Sequence, residues 1–206
     1  MPDFFRKSCL QQRLRFFILP LLSLFMLEPA CAHAPIAGMD SFMNGVLHPL
    51  IIPAQVLLLV SLGLLVGRQG DKAIGSVLPV FLLSLLVSAG LSLIGMPLPE
   101  WLLLVFAMLL TLWVIIGWRI IDRLLLVAAV AAAFLVGTDS LIEEFRSRER
   151  YIALVGSCLG AYVVLLYSAG IAESLRRFQQ GIVLRILGSW ITASILLVLS
   201  LELINF

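Results

Sequence analysis

The chain has two histidines, His33 and His48, and three cysteines, Cys9, Cys31 and Cys158. Only 13% of its 206 residues are charged, and the formal net charge is +2. Each scarcity excludes something. A zinc hydrolase built on paired histidines needs more imidazole than this. A nucleic-acid binder needs a basic patch interleaved with aromatics, and none is present. There is no glycine-rich phosphate loop, no ATP motif and no Ser/His/Asp spacing, so nothing here points to an enzyme or to a resident cofactor.

Apolar residues are what the chain has in excess, at 62%. They come in blocks about as long as a bilayer is thick, which defines a membrane protein with lipid as its first partner. The N-terminus reads as a secretory signal. Arg6, Lys7, Arg13 and Arg15 form a basic region, Phe16 to Leu27 a short apolar one, and "EPACAHA" places Ala30 and Ala32 before a cut. The expected division is a signal peptide over 1–32 and an integral membrane domain over 33–206, with His33 as first mature residue. The rival is an uncleaved anchor helix. Cleavage removes Cys9 and Cys31, and Cys158 alone forms neither a disulfide nor a thiolate cluster within one mature chain.

Six further segments predict membrane helices, at Leu50–Val66, Ile74–Ile94, Trp101–Ile116, Ile120–Val136, Ile152–Ala172 and Ile186–Ile204. Lipid cannot satisfy open backbone groups, so the expected fold is all-α, a polytopic bundle of about six transmembrane helices after the signal peptide. Export of the N-terminus places Arg68, Lys72, Arg119, Arg123, Arg176, Arg177 and Arg185 inside, against Arg146, Arg148 and Arg150 outside. That asymmetry fits a bacterial inner (cytoplasmic) membrane protein with both mature ends periplasmic. Trp101, Trp118, Tyr151 and Trp190, near expected helix ends, read as an interfacial aromatic belt. Gly156 and Gly160 are spaced as GxxxG, for which packing inside the bundle is the first reading and a homo-oligomer through small-residue faces the second. "PAQVLLLVSLGLLVGR" and "PEWLLLVFAMLLTLWVIIGWR" echo each other weakly, a match that leucine-rich sequence often produces.

Few polar residues sit among these segments. In a helix starting near Met39, Asp40, Asn44, His48 and Gln55 fall on one face, at spacings of four, four and seven. Pro53 lacks an N–H and leaves the carbonyl of Pro49 without its helical donor. Two readings stand: a polar path into the bundle, or a helix start at the interface. "GTDSLIEEFRSRERY" is a solvated loop by default, with Glu144 and Arg148 at ion-pair spacing and Asp139 closest to the apolar run. His33, as an N-terminal residue, would chelate Ni²⁺, Cu²⁺ or Zn²⁺ through its amine and imidazole; otherwise it belongs to the cleavage site alone.

The order signal peptide, "AHA", "SFMNGVLHPLIIPAQVLLLVSLGLLVGR" and a last helix opening "RILGSWITASILLVLSL" resembles the HupE/UreJ family of hydrogenase/urease accessory membrane proteins. The resemblance implies about six membrane helices and a nickel or cobalt permease. It carries over His48, in "GVLHPL", and Asp139, in "GTDS". Gln55 stands where the family has a histidine, and is carried as a neutral oxygen or nitrogen donor. As a permease the chain would use His48 as principal ligand, line the path with Gln55, Asp40 and Asp139, and capture ions at His33. The transported ion would be Ni²⁺ or Co²⁺, moved passively or by coupling to an ion gradient. A non-transporting scaffold for metalloenzyme assembly is the alternative.

N-terminal sequencing of the membrane-extracted protein is expected to begin at His33. Recovery of Met1 would establish the anchor helix and remove the amine–imidazole chelate.

Overall fold

The computed structural model describes residues 36, 38–93, 98–141, 148–177 and 181–204. The chain divides between Ala32 and His33 into two units, and every described residue lies in the second. The expected signal segment, His33 and Glu144, the acid of the expected Glu144–Arg148 pair, lie outside the described residues.

Seven helices and no strand occur among the described residues: α1 (Ser41–Ile51), α2 (Pro53–Gln69), α3 (Asp71–Ser92), α4 (Glu100–Ile116), α5 (Asp122–Thr138), α6 (Arg148–Arg176) and α7 (Ile182–Ile204). Five of the six expected segments map onto α3 to α7, with ends shifted by a few residues. The first differs. Helix begins at Ser41, and what was expected as one span from Leu50 is a pair, α1 and α2, bent by 71° at Ile52. Pro53 cannot donate, and the residue before a proline is driven out of the helical region; Ile52 is accordingly extended, at φ −82° and ψ 112°.

Helices α3, α6 and α7 are long and apolar enough to cross a membrane, and the bent pair qualifies as a fourth span. Helices α4 and α5 have 17 residues each, roughly 25 Å of helix, at the short end of what a hydrocarbon core requires. Acidic residues Asp71, Glu100 and Asp122 open α3, α4 and α5, where the positive end of the helix dipole favours them.

Helix α2 is the centre of the bundle. Eleven of its 17 residues are buried, and it packs chiefly on α6 and α4. Helix α1 lies on α6, α3 on α5, and α7 on α4. Only Leu184, Gly188 and Ile195 of α7 are fully buried, so much of its surface is left for lipid. Two hydroxyl bonds tie helices across the bundle: Ser88 Oγ donates to the Ala133 carbonyl at 2.9 Å, and Thr192 Oγ1 to Thr111 Oγ1 at 2.9 Å. Trp101, Trp118 and Tyr151 lie at helix ends as expected. Trp190 does not, because α7 starts four residues before Ile186 and places it in the body of the helix, 71% exposed.

The approach of α1 to α6 is set by glycine. A Cβ at Gly45 would land on the Ala153 carbonyl, one at Gly156 on the Phe42 carbonyl, and one at Gly160 on the Val46 carbonyl. Gly63 and Gly67 of α2 admit Ser168, Ala169 and Ala172 of α6 in the same way. The GxxxG pair is therefore spent inside the chain, where backbones meet without intervening side chains.

Gly156→Leu or Gly160→Leu is expected to lower the thermal unfolding midpoint in detergent sharply, as insertion of several methylenes into a packed contact costs about 1–3 kcal/mol or more. Gly90→Ala and Gly170→Ala, where nothing lies within 4 Å of the added methyl, are expected to raise it slightly, by helix propensity worth about 0.5–1 kcal/mol.

Candidate functional site

The break at Ile52 and the far end of α5 meet at three polar residues. His48 is in the last turn of α1, 3% exposed. Gln55 is the third residue of α2 and fully buried. Asp139 is the C-terminal cap of α5. Gln55 Nε2 donates to both the Asp139 carboxylate, at 2.7 Å to Oδ2, and the Asp139 carbonyl, at 3.0 Å. His48 Nε2 lies 3.4 Å from that same carbonyl and donates to it in the tautomer that carries its proton there.

Local sequence explains why Asp139 is held so firmly. The turn "GTDS" is wound by its own hydroxyls: Thr138 Oγ1 donates to the Phe134 carbonyl at 2.9 Å, and Ser140 Oγ to the Val136 carbonyl at 2.6 Å. Gly137 lets α5 approach α3, since a Cβ there would meet Ser88 Oγ. The negative end of the α5 dipole and the Asp139 carboxylate thus converge on one point, which favours a cation there.

A second feature concerns the other end of the Gln55 amide. Its Oε1 is buried and has no hydrogen-bond partner among the described residues. An orphaned acceptor of this kind costs free energy, on the order of 1–3 kcal/mol. The same residue's nitrogen bonds the Asp139 carboxylate, and the His48 imidazole reaches the Asp139 carbonyl. Among the described residues no group of three His, Cys, Asp or Glu side chains converges, so a cation held here would take at most two strong side-chain ligands, completed by amide and carbonyl oxygen.

Of the residues singled out from the sequence, the fold brings together His48, Gln55 and Asp139. It leaves two aside. Asp40 is exposed and caps α1, its carboxylate accepting from the Met43 amide at 2.8 Å. Eight residues of helix, roughly 12 Å, separate it from His48. Asn44 is buried but turned to the segment before the helix: Oδ1 accepts from the Ile36 amide at 2.6 Å, and Nδ2 donates to the Met39 and Asp40 carbonyls. The expected single polar face is thus divided, its first half closing the helix start and its second half entering the bundle.

Sequence reading missed Arg68. Counted there only as an inside charge, it donates from Nη1 to the Val114 carbonyl and from Nη2 to the Gly117 carbonyl, closing the last turn of α4. The signal was the echoed Gly-Arg and Gly-Trp-Arg endings of α2 and α4, whose ends do meet.

A bundle of apolar helices with a buried polar site at a broken helix defines a helical membrane protein. The family described as HupE / UreJ protein matches residues 21–198, and the chain belongs to that family. No curated protein and no solved structure matches it.

Gln55→Leu preserves volume and removes both donors to Asp139. It is expected to destabilise the protein by about 0.5–2 kcal/mol net, because an acid that loses its donors costs more than the relief of the neutral Oε1 orphan, read as a lower unfolding midpoint in detergent.

Proposed function

We propose that the protein is a transition-metal permease of the inner membrane, carrying Ni²⁺ or Co²⁺, with His48 and Asp139 as principal ligands and Gln55 between them. The observation that carries this reading is the buried Oε1 of Gln55, unpartnered among the described residues, on an amide whose nitrogen bonds Asp139 at the carbonyl that His48 also reaches. An oxygen left bare in the interior is a donor that a cation would complete. The placement supports it too. Discontinuous helices in transporters put helix ends and unwound carbonyls at the ion site, and the site here lies where α1 stops, α2 starts and α5 ends. Two strong ligands suit a carrier, which must release what it binds. His33 would act as an accessory donor at the periplasmic entrance; Asp40 would hold the helix start.

The second reading is a non-transporting scaffold for metalloenzyme assembly. It is favoured by the two bonds from Gln55 to Asp139, which serve equally as a clamp between α2 and α5. The two readings part on transport. Uptake of labelled Ni²⁺ and Co²⁺ by cells at matched protein levels is expected to fall about 10- to 100-fold in His48→Ala, the loss typical of a removed ligand. It is expected to rise or tighten in Gln55→His, since imidazole holds these ions better than an amide. Uptake by the wild type no greater than in cells lacking the protein would leave the scaffold.

A further inference from the structure

At the opposite end of α2, two arginines stand together. Arg68 is near the C-terminus of α2 and Arg185 in the first turn of α7. Both reach the turn that closes α4, where Gly117 has φ +89°. A Cβ at Gly117 would collide with the Arg185 guanidinium, and would stand 2.8 Å from Nη2 of Arg68, so the two cations flank the same point. Arg68 is bonded to the Val114 and Gly117 carbonyls. Among the described residues no carboxylate pairs with either arginine: the acid at this end that does engage arginines, Glu173, is taken by Arg176 and Arg177 at 3.5 and 3.3 Å. Asp71 and Asp122 open their own helices.

The electrostatics of this arrangement do not close among the described residues. The C-terminus of α4 supplies about half a negative charge against two positive ones. Arg185 lies at the wrong end of its own helix, since the N-terminus of α7 disfavours a cation and favours an anion. An anion between the guanidinium groups would relieve both conflicts. Its depth is marked by Trp118, next to Gly117 and 71% exposed, since indole rings gather at the headgroup level of a bilayer. Arg119 follows it, also exposed.

We infer that Arg68 and Arg185, with the α7 N-terminus, form a binding site for the phosphate of an anionic phospholipid headgroup. Guanidinium binds phosphate in a two-pronged fashion, and a cluster of basic residues just beyond membrane helices is attracted to anionic lipid. The chemistry recognised is a phosphate group, which a free phosphate ion also offers; the lipid is favoured because Trp118 puts the site where headgroups lie. This inference is independent of the metal site.

The test is native mass spectrometry of the full-length protein released from nanodiscs of equal phosphatidylglycerol and phosphatidylcholine. The wild type is expected to retain phosphatidylglycerol several-fold over phosphatidylcholine. Arg185→Gln should lose that preference and Arg185→Lys should keep part of it, while Arg177→Gln, at the same end and paired with Glu173, should behave as wild type. Arg185 is exposed, so its variants are suited to the comparison, whereas Arg68 holds the end of α4. No lipid preference in the wild type, or an unchanged one in Arg185→Gln, would overturn the site. Stabilisation by millimolar inorganic phosphate in neutral detergent, abolished in Arg185→Gln and without any lipid preference, would overturn the lipid assignment.

Discussion

Pro53 cannot donate a hydrogen bond to the carbonyl of Pro49, and it bars Ile52 from helical geometry. In hydrocarbon such a break is tolerated only where protein surrounds it, because lipid offers nothing to the freed backbone groups. Much of the bundle follows from that requirement. Helix α2 is placed at the centre. Helix α6 comes close enough to cover α1 because Gly45, Gly156 and Gly160 remove the side chains between them. The polar residues beside the break, His48 and Gln55, turn inward to the end of α5 rather than outward to lipid.

The same requirement explains which parts of the architecture were legible in the sequence. Hydrophobic length located the apolar segments, and the resemblance to HupE/UreJ proteins singled out His48 and Asp139. The bend at Ile52 was half legible: Pro53 was recognised as removing a donor, yet the segment was still drawn as one span. The meeting of Gln55 with Asp139, 84 residues further on, is a product of tertiary packing that no local spacing encodes. Asp40 is a residue with two signals. An aspartate just before a helix is a capping signal, and its regular spacing from His48 suggested a shared path that the exposed carboxylate does not join. GxxxG is ambiguous for a physical reason: small residues allow close approach without specifying whether the partner helix belongs to the same chain.

The two ends of α2 carry opposite kinds of polar chemistry. At one end an acid and an imidazole gather around a buried amide. At the other, Arg68 fastens α2 to the end of α4 and is joined by Arg185. Helices α2 and α4 thereby form a pair anchored at the arginine end, and the site end is anchored separately, through α5. Membership in the HupE/UreJ family accounts for the arrangement of the chain as a membrane protein. At the centre of the site is Gln55, an amide that bonds Asp139 with one atom and leaves its other atom without a partner among the described residues.

The sequence separation across the site also has a meaning in time. Ribosomes add roughly 5–20 residues per second. The 84 residues between Gln55 and Asp139 therefore correspond to roughly 4–17 s during which α2 exists and its polar partner does not. Helix α6, which covers α1, is made later still. During that interval a broken helix with an uncovered amide cannot rest in lipid at no cost, and must be sheltered by the insertion machinery or wait near the interface. The geometry that closes the site in the finished protein thus keeps its first two helices waiting until α5 and α6 have been made.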